Sequence, residues 1–216
     1  MSTRRPRARA GRAGFTLLEV MLALLLLAPF LGALALALST ATGAAGASLS
    51  AQELEGRAHR ALARIAAELA GAEAGTLMPD PSAPFGSSRL VFQRAGAGGA
   101  APRPTLEIGL ELEPGERDDD IDNDGDGLVD EQQLVYTVES QDAVSRRAVW
   151  AHGVAGRLEG ELRNGADDNG NDLVDERGLC FVRAQGCVTI RLSLAARERG
   201  GGVLVRTVET AVRLRN

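Results

Sequence analysis

From Val20 to Leu38 the chain carries only Ala, Leu, Met, Val and Phe, broken by Pro29 and Gly32, and no charged residue occurs between Glu19 and Glu53. About 20 apolar residues in a helix cross the hydrocarbon core of a bilayer, so this run predicts one membrane span. Pro29 lies inside it and removes one helix hydrogen bond, a loss that membrane helices absorb. Arg4, Arg5, Arg7, Arg9 and Arg12 precede the run. The positive-inside rule keeps them in the cytoplasm and sends everything after the span outward. A chain of 216 residues has room for this span and one modest exported domain.

Glu19 stands at the start of the run. A charged side chain at the centre of a membrane helix costs roughly 2.5 to 3.5 kcal/mol on insertion scales, so Glu19 needs a partner. An ordinary secretory signal peptide, cleaved among the small residues near Ala37 to Ala41, is the competing reading of this end, and it gives Glu19 no role.

The segment Arg12-Ala13-Gly14-Phe15-Thr16-Leu17-Leu18-Glu19-Val20-Met21 resembles the prepilin peptidase recognition segment of type IV pilins and type II secretion pseudopilins. That resemblance implies cleavage after Gly14, methylation of the new N-terminal Phe15, and an assembly role for Glu19. The amine exposed at Phe15 would be neutralised inside the lipid by Glu19 of a neighbouring subunit, which makes two costly charges into a pair. It also implies residues 1–14 as a cleaved leader and 15–38 as a span that packs in a filament core, where small residues permit close approach. The implied location is the bacterial inner membrane, single-pass, with the C-terminal domain periplasmic and later part of a filament.

Beyond Ser50, Leu54, Ala58, Leu62, Ile65 and Leu69 recur at helical spacing, with Glu53, Glu55, Arg57, Arg60, Arg64 and Glu68 between them. An amphipathic extension over 39–75 is expected, continuous with the span or hinged at Gly43 and Gly46, its stripe packed on the protein's own sheet. Residues 76–216 then form a β-rich domain. Strands are expected over 89–94, 105–112, 133–140, 148–152, 188–195 and 203–214, with Gly200-Gly201-Gly202 as a hairpin turn. The fold class is α+β: a long N-terminal helix whose second half packs on an antiparallel sheet, in agreement with the pilin fold that the N-terminal motif implies. Arg60 to Leu69, Leu134 to Glu139 and Glu209 to Asn216 are loosely similar to the J-type minor pseudopilins and PilW-like minor pilins.

An internal repeat at an offset of 45 residues carries the chemistry. Asp122-Asn123-Asp124-Gly125-Asp126-Gly127-Leu128-Val129-Asp130-Glu131 aligns with Asp167-Asp168-Asn169-Gly170-Asn171-Asp172-Leu173-Val174-Asp175-Glu176, six of ten positions identical. Alternating oxygen ligands, then Gly, then an apolar anchor are what a calcium loop requires. Asp122, Asp124 and Asp126 supply side chains, Leu128 a carbonyl, and Asp130 or Glu131 closes the shell, with Val129 pinning the loop to the core. The second loop offers Asp167, Asn169, Asn171, the Leu173 carbonyl, and Asp175 or Glu176; with fewer charges it should bind calcium more weakly. Neither loop has the Glu that an EF-hand carries at its twelfth position, where Gln133 and Gly178 stand. They look more like the short calcium loops of dockerin or thrombospondin type 3 repeats. With Asp118 to Asp120 added, residues 118–131 hold eight carboxylates, whose repulsion keeps the segment mobile without a cation.

Cys180 and Cys187 are the only cysteines, and in an exported domain a disulfide between them is expected. The formal charge of −5 becomes about −10 once the five leader arginines are gone, which argues against nucleic-acid binding. The only histidines are His59 and His152, and no nucleophile-elbow or metalloprotease motif occurs, so an enzyme is not expected. The expected function is a minor pilin or pseudopilin that helps initiate or cap a type II secretion pseudopilus or type IV pilus. Its partners are prepilin peptidase, other subunits of the same filament, and inner-membrane lipid. The alternative is a calcium-dependent adhesion or ligand-binding module that uses a pilin-like signal for export.

Overall fold

The computed structural model describes residues 16–82, 86–96, 103–140, 143–198 and 200–214. Gly14 and Phe15, the expected processing site, lie outside these residues. One helix, α1, runs from Leu17 to Leu69 with Pro29 inside it, so neither Gly43 nor Gly46 breaks it. The chain divides into two compact units at Gly46.

In the first unit, Leu17 to Thr40 form a candidate span of 24 residues, none of it buried. At 1.5 Å per residue that is about 36 Å, enough to cross a bilayer core of roughly 30 Å. The helix starts with a capping box. Thr16 N–H donates to Glu19 Oε2 at 2.9 Å, and Glu19 N–H donates back to Thr16 Oγ1 at 3.3 Å. The Thr-x-x-Glu spacing is the sequence signal for this reciprocal cap, which satisfies two of the helix's free N–H groups. Glu19 therefore has a partner within its own chain.

The second unit is built around the other end of α1. Leu54, Ala58, Ala61, Leu62, Ile65 and Leu69 are all buried, one stripe at spacings of three and four, while His59, Arg60 and Arg64 face solvent. The helix ends at Leu69, short of the expected residue 75, where tight bonds from Gly71 N–H to the Glu68 carbonyl and from Ala72 N–H to the Leu69 carbonyl close the last turn. A single 3-10 turn follows at Ala74–Thr76.

Seven antiparallel strands form the sheet: β1 Leu90–Gln93, β2 Thr105–Leu112, β3 Gln132–Ser140, β4 Ala143–Val154, β5 Leu179–Ala184, β6 Cys187–Arg197 and β7 Val203–Arg213. Strands β1 to β4 pair in chain order, and β6 pairs β5 and β7. These two groups meet where Val154 of β4 pairs Leu194 of β6 and Ala155 N–H donates to the Ser193 carbonyl. In β6, Val188, Ile190, Leu192 and Leu194 are buried at a period of two. They join Leu90, Phe92, Leu106, Ile108, Leu134 and Phe181 and the helix stripe in one core. The architecture is α+β, an antiparallel sheet with a helix on its apolar face and a candidate N-terminal span.

Two long connections, 113–131 between β2 and β3 and 155–178 between β4 and β5, contain the acidic repeat. Since β2 and β4 both run antiparallel to β3, both connections leave from the same end of the sheet.

Leu62 is 2% exposed and Ile65 fully buried between helix and sheet. Truncating either to Ala is expected to cost about 2–5 kcal/mol, from lost burial and the cavity left behind. Arg64→Ala on the opposite face should change stability by less than about 0.5 kcal/mol. Denaturant melts of the three variants check the assignment, and equal losses would place the stripe wrongly.

Two acidic loops as candidate metal centres

Each loop is held by a glutamate that stands ahead of the ten-residue repeat. Glu116 Oε1 accepts the N–H groups of Asn123 and Asp124, both at 2.9 Å, and its Oε2 accepts that of Asp130 at 3.3 Å. Glu161 repeats the pattern 45 residues on, accepting from Asp168, Asn169 and Asp175 at 3.0, 3.1 and 3.2 Å. Both glutamates are buried. One residue earlier, Gly115 and Gly160 take φ of 111° and 87°, and a side chain there would press on the Cβ of Asp124 or Asn169 at 3.0 or 3.3 Å. The structural repeat is thus 17 residues long, 115–131 and 160–176, seven residues more than the ten that align in sequence.

Asp130 and Asp175 clamp the start of each loop. Asp130 accepts from Asp119 and Asp120 N–H at 3.0 to 3.2 Å, and Asp175 accepts from Asn164 and Gly165 N–H at 3.0 to 3.1 Å. Those two N–H bonds hold the Asp175 carboxyl below its ordinary range. Both aspartates sit at positive φ, 49° and 52°, a region that Asp tolerates better than most residues.

In the first loop Asp122 accepts from Gly125 and Gly127 N–H, Asp124 Oδ1 from Asp126 N–H, and Asp126 Oδ1 from Leu128 N–H. These bonds turn the chain so that Asp122, Asp124 and Asp126 bring one oxygen each within 4.8 Å of one another. Glu116, Asp124 and Glu131 form a second such group, with Asp124 common to both. In the second loop Asp167 accepts from Gly170, Asn171 and Asp172 N–H, and Asn171 Oδ1 from Leu173 N–H. Asn169 occupies the position of Asp124.

Glu131 distinguishes the site from ordinary surface acidity. It is 2% exposed, yet neither carboxylate oxygen has a hydrogen-bond partner. A buried charge without a partner is strongly unfavourable. Burial first, then the neighbouring Asp126, Glu116 and Asp124, push its carboxyl up from the ordinary 4.5 to about 7. Among the described residues the only other such orphaned side-chain oxygen is Oε2 of Glu176, the matching residue of the second loop. Hard, oxygen-only donors with several carboxylates suit a divalent cation of the calcium or magnesium type. The first loop can hold a metal ion.

Two expectations are corrected. Val129 does not pin the first loop: it is 49% exposed, and Leu128 is the anchor, packed with Ala155 and Ala195. Leu173 anchors the second loop beside Leu158 and Cys180. The expected disulfide is absent, and both cysteines are free. They lie on the two arms of the β5–β6 hairpin, Cys180 opposite Arg191 and Cys187 opposite Ala184. Four residues along the ladder is about 13 Å, well beyond the Cα separation a disulfide spans. Burial, then the Glu176 charge, push the Cys180 thiol up to about 11, which keeps it protonated.

The two loops are neighbours. Arg177, just after the second, donates to Asp118 Oδ2 of the first at 3.3 Å, and residues of both line one cavity that includes Asp120, Asp130, Glu161 and Arg157. Comparison of the chain with protein-family models, with curated proteins and with solved structures finds no match.

Because the folded-state value of Glu131 lies above 4.5, folding binds its proton more tightly than the unfolded chain does. Its contribution without a cation is full below about pH 4.5 and is lost as pH rises through about 7. Melts of chelator-treated protein should therefore show a falling Tm over that window, and Glu131→Gln should flatten the fall. A divalent cation should raise Tm most at the alkaline end. A slope that Glu131→Gln leaves unchanged would contradict this assignment.

Proposed function

We propose that this chain is a subunit of a type IV pilin-like filament, a minor pilin or pseudopilin, with an exported domain held in shape by calcium. The observation that carries the reading is α1 itself. Its first 24 residues are apolar except for Glu19, Ser39 and Thr40 and bury nothing in their own chain, while Leu54 to Leu69 seal an antiparallel sheet. A helix of this kind has a use for its bare half only in lipid or among the helices of other subunits. The leader motif ending at Gly14 adds the route by which such a helix would leave the membrane.

Within this proposal Glu19 acts twice. As a monomer it caps its own helix through Thr16. On assembly the same carboxylate lies beside the helix start, where the amine created at Phe15 of a neighbour would neutralise it. An enzymatic role finds no support in the acidic loops, whose glutamates and aspartates are committed to loop N–H groups or gathered around the candidate cation position. Calcium is the cation proposed, because an irregular loop with several carboxylates among its candidate ligands matches its high coordination number and irregular geometry better than the strict octahedron of magnesium.

Intact-mass measurement and N-terminal sequencing of the chain, expressed with and without a prepilin peptidase, test the proposal. The expected product begins at N-methylated Phe15 and appears only with the peptidase. Cleavage near Ala41, or none, would sink it and leave a calcium-loop protein exported by another route. If cleavage occurs but the protein reaches the surface with every other filament subunit deleted, the adhesion alternative replaces the assembly role.

A further inference from the structure

The two loops share a backbone frame but not a charge. Beyond the residues that both loops share, Glu116 with Asp130 and Glu161 with Asp175, the first offers four carboxylates, Asp122, Asp124, Asp126 and Glu131, and the second offers two, Asp167 and Glu176, alongside Asn169 and Asn171. Over the whole frame, 116–131 has nine acidic residues against Arg117, and 161–176 has six against Arg163.

The difference is decided at one position. In the first loop the fifth ligand position is Asp126, which as a carboxylate has no proton to offer Glu131, and both oxygens of that buried glutamate are left without a partner. In the second loop the matching residue is Asn171. Its amide donates to Glu176 Oε1 at 2.7 Å while its own Oδ1 accepts the Leu173 N–H at 2.9 Å. One side chain therefore turns the loop, as Asp126 does, and also brings positive character to the closing glutamate, as Asp126 cannot. Calcium affinity follows the number of charged ligands, and the second loop has two fewer, with Oε1 of Glu176 already taken by the Asn171 amide.

We infer that the protein holds one divalent cation, in the first loop, and that the second loop is a cation-independent copy latched by the side chain of Asn171. This rests on the cation reading proposed above. The first loop is then the responsive element, and the second keeps its shape whether or not the cation is present. Residue 171 sets the number of ions bound.

The test is a calorimetric titration of calcium chloride into the full-length chain in detergent, stripped with a chelator and held in excess magnesium. The wild type should bind one ion, Glu131→Gln none, and Glu176→Gln one as before. Asn171→Asp should bind two, because it restores the missing charge and releases Glu176. Two ions in the wild type, loss of the site in Glu176→Gln, or a single ion in folded Asn171→Asp would overturn the inference while leaving a metal-binding protein. No ion in the wild type would overturn both the inference and the cation reading. Should Asn171→Asp not fold, the wild-type count together with Glu131→Gln and Glu176→Gln still decides.

Discussion

An antiparallel sheet with one apolar face must cover that face, and here the cover is the stripe Leu54, Ala58, Ala61, Leu62, Ile65 and Leu69 of α1. The rest of the domain depends on this contact. Burial of large aliphatic side chains contributes about 1.5 to 3 kcal/mol each, more than any exposed ion pair on the surface. It also fixes which way the strands face. Once Val188, Ile190, Leu192 and Leu194 turn toward the helix, alternation sends Thr189 and Arg191 away from it, and a slip of one residue would expose the whole set.

With the sheet fixed, its end becomes a platform for two loops of the same design. Each is organised around buried carboxylates that accept backbone N–H groups, so the chain's own amides take up much of the local negative charge. Strand β3 begins one residue after Glu131, and β5 three residues after Glu176. What happens at a loop is passed directly into the ladder. Charge therefore acts on the fold here through strand starts, and the surface ion pairs, such as Arg89 with Glu107 at 2.5 Å, are secondary.

The helix stripe and six of the seven strands were legible, because period 3.6 and period 2 are written directly in the apolar residues. Strand β5 was not, although Leu179-Cys180-Phe181-Val182 followed by Gln185-Gly186 is a strand and turn signal. It is short, and the spacing of Cys180 and Cys187 in sequence says nothing about where a hairpin puts its arms. The acidic positions of the loops were legible as a repeat. Glu116 and Glu161 were missed because the repeat was ended at the first aspartate, although the offset of 45 residues holds at Gly115 and Gly160 as well. Val129 is the wrong choice of anchor because a loop held by side-chain bonds has no period to say which of two adjacent apolar residues turns inward, and here it is Leu128. The Thr16–Glu19 cap is readable from its Thr-x-x-Glu spacing, which gives Glu19 a partner in its own chain as well.

The join between β4 and β6 is narrow, a single paired position at Val154 and Leu194 with one further bond from Ala155 to Ser193. Mechanically, the sheet is two stiff leaves meeting at a short seam. A load applied across that seam meets few backbone hydrogen bonds, so the side chains packed beneath it carry most of the contact. The helix lying over the core works as a splint, and on the far side the segment that pairs Met78 with Val91 and Ser87 with Phe181 stitches β1 to β5 as a second tie between the leaves.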